Sequence, residues 1–131
     1  MSDNKILLAV NGTLMRGLEL NPNMLAAGAE FVSEETTAAC YRCWTINDRH
    51  PGMIRTPGQG KSIALEVWAV PPAGLGDILQ KEPAGLCIGK IELADGREVL
   101  GVLAEPWLVE NQKEITELGG WRSYTGHYYS E

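Results

Sequence analysis

The sequence has no long hydrophobic run and few cysteines. Its 131 residues include only Cys40, Cys43 and Cys87, and this odd number argues against a disulfide framework. No stretch reaches the roughly 18 to 20 apolar residues that a membrane-spanning helix needs. The N-terminal residues, 1–5, lack the charged-then-apolar layout of a signal peptide. We therefore expect a cytoplasmic protein with reduced thiols and no membrane partner.

Basic residues are scarce as well. Eleven lysines and arginines stand against 17 aspartates and glutamates, which gives a formal net charge of −6. This balance argues against general electrostatic attraction to nucleic acid, so an anionic ligand would have to be held by local geometry. Apolar residues make up 44% of the chain, which is typical of one compact domain, and we expect residues 1–131 to form it.

The residues that could bind a metal are poorly spaced for that purpose. Cys40 and Cys43 form a C-x-x-C pattern, but they lie in an apolar and aromatic run that favours extended structure, in which residues three apart point to opposite faces. His50 and His127 have no partner at metal-ligand spacing and are expected to be exposed to solvent. The sequence carries no nucleotide or flavin fingerprint either, so we predict neither a metal nor a cofactor. The cysteines are expected to be small buried apolar residues.

One loop has the composition of an anion-binding loop. The apolar strand predicted at 5–10 runs into Asn11-Gly12-Thr13-Leu14-Met15-Arg16-Gly17. Glycine adopts positive φ and permits a close approach to a ligand, so successive N–H groups of such a loop can converge on a carboxylate or phosphate. A tight turn at the end of the strand explains the same pattern, and both interpretations stay open.

Hairpins and turns dominate the rest of the pattern. Asn21 and Pro22 predict the start of a short helix, with Asn21 as the N-cap, and Pro71-Pro72 predicts a second helix that Pro83 ends. Extended segments are predicted at 31–46, 53–55 and 62–70, a turn-rich loop at 47–52, a hairpin of 88–93 with 98–104, and a helical or irregular stretch at 106–118. The fold class is therefore α+β, with a mostly antiparallel, barrel-like sheet and two or three short helices.

Two glutamates are candidate catalytic residues. Glu66 lies on a strand whose neighbours are nearly all apolar, where it could act as a base with a raised pKa or pair with Arg42 or Arg55. Glu82 lies at the end of the second predicted helix, where a solvated surface carboxylate is the alternative.

Several segments, taken in order, resemble the C-terminal domain of allophanate hydrolase, within the gamma-glutamylcyclotransferase-like superfamily. The segments span nearly the whole chain: 10–17, 20–21, 41–42, 51–55, 63–70, 85–96 and 119–124. The resemblance implies a small barrel of about six strands with peripheral helices. Since 131 residues leave no room for the amidase domain to which this module is usually fused, it also implies a standalone version with a separate amidase as a possible partner.

The resemblance implies a role in urea-derived nitrogen metabolism, namely binding of a small carboxylate and decarboxylation of the N-carboxycarbamate that an amidase leaves. Such a reaction needs a pocket that orients the carboxylate and a proton donor for the nitrogen. Tyr41 and Tyr124 are expected to wall the pocket or to bond a bound acid, and Arg55 or Arg122 to bind the carboxylate. The expected loop ligands are Asn11, Gly12, Thr13, Leu14 and Met15. The family more typically has a histidine at this position. The leucine found here, Leu14, can neither donate nor accept a proton.

Two alternatives accompany this prediction. The loop is also similar to the Tyr-Gly-Ser/Thr-Leu loop of gamma-glutamyl cyclotransferases, with Asn11 in place of tyrosine. Those enzymes form 5-oxoproline with a glutamate as general acid and base, a role that this resemblance implies for Glu82. The other alternative is a binding or assembly module without catalysis. On family grounds a homodimer is expected.

Overall fold

A computed structural model describes residues 4–129, which contain eight strands and three α-helices. They are β1 (Ile6–Val10), α1 (Asn21–Ala26), β2 (Glu30–Thr36), β3 (Tyr41–Ile46), β4 (His50–Arg55), β5 (Ala64–Val70), α2 (Pro72–Lys81), β6 (Leu86–Glu92), β7 (Glu98–Ala104), β8 (Lys113–Glu114) and α3 (Trp121–Thr125). Short 3₁₀ turns cover Pro106–Val109 and Thr116–Leu118. No helix within the described residues is long and apolar enough to cross a membrane.

The strands form two sheets, as expected for a mixed α+β fold. One has the order β2-β5-β1-β7-β6 and the other β4-β3-β8. All pairings are antiparallel except that of β1 with β7. The hydrophobic core draws on both sheets, since buried side chains of β1, β3, β4 and β5 belong to one cluster.

The closed barrel is not confirmed. The edge strands β2 and β6 of the larger sheet approach each other at one end only, where Thr37 pairs with Leu93 in an isolated bridge. Two further backbone bonds reinforce this contact, from Ala38 N to Glu92 O (2.9 Å) and from Ala94 N to Thr36 O (2.8 Å). The larger sheet therefore curls strongly without closing along its length.

The central position of β1 follows from its composition. Leu8, Ala9 and Val10 are all buried, because strands flank β1 on both edges and apolar groups cover both of its faces. The register of β1 with β5 sets Val10 opposite Glu66. This pairing brings the carboxylate of β5 next to the point where the chain leaves β1.

The hairpin of β6 and β7 is confirmed around its Asp95-Gly96 turn, while three local predictions are wrong. The segment 31–46 forms two strands in different sheets. The turn at 47–52 is shorter, because the residues from His50 onward belong to β4. Asn21 is the first residue of α1 rather than its N-cap, and its Nδ2 donates to Leu14 O (2.9 Å).

Helix α2 packs closely on the end of α1. A Cβ atom added at Gly74 would lie 2.2 Å from Ala27 O, whereas one at Gly76 would meet nothing within 4 Å. This approach helps to fix the helix whose C-terminus carries Glu82.

We therefore expect Gly74→Ala and Gly76→Ala to change stability in opposite directions. Gly74→Ala must push α2 away from α1, at a cost of about 1–3 kcal/mol. Gly76→Ala only improves helix propensity, a gain of about 0.5–1 kcal/mol. Urea denaturation of both variants measures the difference, and a loss of stability in Gly76→Ala would contradict this account of the packing.

Candidate functional site

The loop after β1 is tied to its surroundings from its first residue. Asn11 is buried, and its Nδ2 donates to Val102 O (3.4 Å) and lies 3.3 Å from Met53 Sδ. A turn follows at once, in which Met15 N donates to Gly12 O (3.0 Å). The loop is thus anchored to β7 and β4 before it reaches the second of its glycines.

The two glycines of the loop serve different purposes. Gly17 has a φ of +77°, as predicted. Gly12 has no positive φ, and the prediction for it is wrong. Its lack of a side chain matters because a Cβ there would lie 2.5 Å from Pro51 Cδ. Gly12 therefore lets β4 press against the loop.

The loop does capture an anion, and that anion is the carboxylate of Glu66. Oε1 accepts hydrogen bonds from Arg16 N (2.9 Å) and Trp68 Nε1 (3.1 Å). Oε2 accepts from Arg16 Nε (3.1 Å) and Arg122 Nη2 (3.0 Å). Glu66 is only 1% exposed, so two arginines and four donors compensate one buried charge.

The alternative that pairs Glu66 with an arginine is therefore the correct one, but the predicted partners are wrong. Arg42 pairs with Glu114 (2.8 Å) and Arg55 with Glu92 (2.7 Å). With both carboxylate oxygens bonded, Glu66 has the geometry of a structural centre rather than of a base.

A cavity of about 440 Å³ lies beside this centre. Its walls include Glu34, Glu35, Glu66, Arg122 and Tyr128. Each of the three carboxylates has a partner, since Glu34 accepts from Arg16 (2.6 Å) and Glu35 from Ser33 (2.8 Å). The cavity is large, but its acidic groups are already engaged.

The remaining predicted site residues are dispersed. The hydroxyl of the buried Tyr41 accepts from Glu92 N (2.9 Å), next to the Arg55–Glu92 pair. The Tyr124 hydroxyl donates to Asp48. Neither tyrosine nor Arg55 lines the two cavities described here that include residues of the Asn11–Met15 loop, whereas Arg122 lines the larger cavity with Met15. As site residues these groups stay predictions.

Glu82, by contrast, lies against the loop. It shares a cavity of about 20 Å³ with Asn11, Gly12, Thr13 and Leu14, a space sufficient for one water molecule. A second cavity, of about 260 Å³, also includes Glu82 among its walls, so the two spaces adjoin at this side chain. The helix ends here because Pro83 restricts Glu82 to an extended backbone (ψ 146°).

The carboxyl of Glu82 is the polar group without a partner at this place. Its Oε2 is buried and makes no hydrogen bond to any of the described residues. Burial raises its pKa from 4.5 to about 7. A carboxyl that carries a proton near neutral pH can both donate and accept one, which general acid–base chemistry requires.

His50, expected in an exposed turn, lines the same small cavity as Glu82. It is the first residue of β4, half-buried, with its Nδ1 3.0 Å from Pro51 O. The signal in the sequence was the Asn47-Asp48 pair, because these residue types adopt positive φ more readily than most. Both do so in the three-residue turn 47–49, after which β4 begins.

The cysteines form no site with one another. All three are free, and only Cys43 is buried, where burial raises its pKa to about 12. Cys40 is half-buried and Cys87 exposed, so the expectation of three buried thiols is wrong. Within residues 4–129 no group of three or more His, Cys, Asp or Glu side chains could hold a metal ion.

Comparison with known proteins decides the family. Residues 6–126 match the profile of the allophanate hydrolase C-terminal domain. The chain belongs to this family. Its urea amidolyase relative from Saccharomyces cerevisiae is 29% identical over 126 residues, and the alignment covers 91% of this chain and 7% of that protein. The chain thus spans a small fraction of the curated relatives that it matches.

Several solved structures are similar to this allophanate hydrolase C-terminal domain over nearly its whole length. A uropathogenic E. coli-specific protein is 64% identical, with a TM-score of 0.95 over 98% of this chain and 100% of that one. Kluyveromyces lactis allophanate hydrolase is 30% identical, with a TM-score of 0.90 over 95% of this chain and 21% of that one. An aig2-like protein from Mus musculus, 19% identical with a TM-score of 0.67 over 97% of this chain and 96% of that one, shares the fold.

We expect Glu66→Gln to be strongly destabilising, by about 3 kcal/mol or more, because it removes the buried negative charge that two guanidinium groups share and turns an amide toward donors. The matched control is Glu30→Gln, which removes a surface pair with Lys5 whose glutamate is 71% exposed. That change should cost less than about 1 kcal/mol. Urea denaturation compares them, and equal losses would contradict a central role for Glu66.

The raised pKa of Glu82 predicts a pH dependence of stability. Between pH 4.5 and about 7 the folded protein holds a proton that the unfolded chain releases, so the unfolding free energy falls as pH rises through this window. Glu82→Gln, which stays neutral, should gain stability relative to the parent between pH 5 and pH 8, on the order of 1 kcal/mol for a partly screened group. If the unfolding free energies of the two proteins depended on pH in the same way, the pKa of Glu82 would not be raised by burial.

Proposed function

We propose that this domain binds a small carboxylate in the two adjoining cavities at Glu82, where the Asn11–Leu14 loop forms one wall, and uses Glu82 to transfer a proton to the substrate nitrogen, in urea or allophanate metabolism. The observation that carries the proposal is the buried, unpartnered Oε2 of Glu82 beside the loop. Family membership supports the metabolic setting, since the matching relatives are named urea amidolyase and allophanate hydrolase.

The chemistry of N-decarboxylation fits one carboxyl group. When the bond between nitrogen and the departing CO₂ breaks, its electron pair remains on nitrogen, which then takes a proton. Glu82, with a pKa of about 7, can supply that proton at neutral pH and regain it from water. Leu14, which is buried in the loop, has no ionisable group and cannot supply a proton. His50, on the same cavity, is a second group able to carry a proton.

The loop would orient the carboxylate of the substrate through its backbone, because Arg16 and Arg122 are committed to Glu66. The matching urea amidolyases and the K. lactis allophanate hydrolase are much longer than this chain. Because these relatives are named urea amidolyase and allophanate hydrolase, we propose that an amidase supplies the N-carboxy compound. A homodimer and a cytoplasmic location remain predictions.

A second candidate is the cyclotransferase reaction, which the same observation favours. The α-amine of a gamma-glutamyl compound attacks its γ-carbonyl, a new C–N bond forms in the ring, and the original amide C–N bond breaks. Glu82 would take the proton from the attacking amine and pass it to the leaving amine. This reaction also uses one carboxyl with a pKa near neutrality beside a Gly-Thr-Leu loop.

Ligand-induced thermal shift distinguishes the candidates. We expect a rise in melting temperature with malonate and related dicarboxylates, because a ligand at a hundredfold excess over its Kd stabilises the folded state by about 2.7 kcal/mol. A shift with 5-oxoproline and gamma-glutamyl amines alone would favour the cyclotransferase reaction. No shift with any of these compounds would contradict a small-carboxylate site here.

Activity then tests Glu82 directly. Supplied with allophanate and a separate amidase, the protein should accelerate CO₂ release, and Glu82→Gln should lower kcat by about 10²–10⁴ because it keeps the shape but carries no exchangeable acid. The exposed Glu110→Gln serves as control and should leave the rate unchanged. Unchanged turnover in Glu82→Gln would remove the proton-transfer role, and bound ligand without product would indicate a non-catalytic module.

A further inference from the structure

The two cavities at Glu82 offer little that could balance the charge of a bound carboxylate. Among the described residues that line them, none is a lysine or an arginine. The ionisable side chains in the two linings are those of Glu82, Cys87 and His50. A carboxyl and a thiol can only be neutral or negative, whereas an imidazole is neutral or positive. Within the described linings, His50 is therefore the side chain that can face an anion with a positive charge.

A dicarboxylate substrate needs such a charge. The N-carboxy compound that an amidase would supply carries two carboxylates, and the walls of the larger cavity are mostly aliphatic side chains. Moving a carboxylate out of water costs much free energy unless a cation or several hydrogen-bond donors compensate it. Arg16 and Arg122 line neither cavity, and both are bonded to Glu66. The compensating charge must therefore come from His50.

The position of His50 favours this role. It is the first residue of β4, and the next residue, Pro51, presses against the loop at Gly12. Its Nδ1 lies 3.0 Å from Pro51 O, and because a carbonyl only accepts hydrogen bonds, Nδ1 carries the hydrogen of this contact. Nε2 is then the nitrogen that gains and loses a proton, and it has no hydrogen-bond partner among the described residues. Since the side chain is only half-buried, it can exchange that proton with solvent.

The smaller cavity connects His50 with the place of the substrate. Its volume of about 20 Å³ suits one water molecule and not a carboxylate, so the substrate itself lies in the larger cavity. The two cavities adjoin along side chains that line both, those of Glu82, Leu86 and Val102. A water in the smaller cavity would accept a hydrogen bond from His50 Nε2 and donate one to the carboxylate. Such a bridge is nearly as favourable in enthalpy as a direct bond, and it lets the loop act on the substrate through the same water.

We infer that the imidazolium of His50 is the cationic substrate-binding group of this site, one water molecule away from a carboxylate of a dicarboxylate substrate. The inference rests on the proposed function and assigns its anion-binding residue. Tight binding then requires protons on both His50 and Glu82, the first to attract the carboxylate and the second not to repel it. Binding therefore takes up protons, and affinity falls as the pH rises through the range in which histidine loses its charge.

The other charged groups around His50 do not share its cavity. They are Arg42, Asp48, Arg49, Arg55, Lys81 and Glu105. The two in the turn before β4, the lysine beside Glu82 and the glutamate after β7 are all exposed. The two strand arginines lie at the other end of the β3–β4 hairpin, where each pairs with a carboxylate. Glu82 is thus the one other titratable group among the described residues of this cavity, and substitution can separate the two.

Calorimetric titration with malonate, a stable dicarboxylate, tests the inference. We expect the Kd of the parent to rise at least about tenfold between about pH 6.5 and pH 8.5. His50→Gln can still donate to Pro51 O but never carries a charge. It should weaken malonate binding about tenfold at pH 6.5 and have little effect at pH 8.5, where the parent imidazole is neutral. The matched control is His127→Gln, which changes an exposed histidine outside these cavities and should bind as the parent does.

A lysine at position 50 separates the charge from the shape of the side chain. His50→Lys stays positive over this pH range, so at pH 8.5 it should bind malonate about tenfold more tightly than the parent does. Its affinity should then vary with pH through Glu82 alone, and adding Glu82→Gln should remove the remaining variation. This variant tests the role of the charge even if His50→Gln folds poorly.

The outcomes separate the inference from the function on which it rests. If His50→Gln weakened malonate binding equally at both pH values, or not at all, the assignment of His50 would be overturned while the carboxylate site stood. A lysine variant that bound malonate no more tightly than the parent at pH 8.5 would also overturn it. If the parent binds malonate at neither pH, both the inference and the proposed function fail.

Discussion

The buried carboxylate of Glu66 is the interaction on which the rest of the structure depends. It collects donors from three separate parts of the chain: the loop after β1, strand β5 and helix α3. A charge this deeply buried is stable only when all of its acceptor capacity is used, so each donor must be held in place. The guanidinium carbon of Arg16 also lies 3.7 Å from the centre of the Phe31 ring and 4.5 Å from that of Tyr129. Fixing one carboxylate thus fixes the loop that borders the Glu82 cavity.

Glu66 and Glu82 are similar groups in different surroundings, which is why we propose Glu82, and not Glu66, for proton transfer. Glu66 has four donors and no spare acceptor. Glu82 has an oxygen without a partner and a pKa raised by burial. From the sequence, both glutamates were candidate catalytic residues. Their different surroundings in the folded protein distinguish them.

Local signals predicted much of the fold, while long-range pairing decided the rest. The Asp95-Gly96 hairpin and the end of α2 before Pro83 follow from turn chemistry, and the structure agrees. The partners of Glu66 could not be predicted in this way, because they depend on the register that sets Val10 opposite Glu66. His50 was missed for a local reason, since its turn was taken to be three residues longer than it is.

The link between Arg122 and the loop has a consequence for how the protein is made. Arg122 donates to Arg16 O (2.8 Å) across 106 positions of sequence, as well as to Glu66. On the ribosome, Arg16 is synthesised 106 residues before Arg122, its last partner, becomes available. The loop that borders Glu82 is therefore completed after synthesis of α3, and until then the charge of Glu66 lacks one of its two arginines.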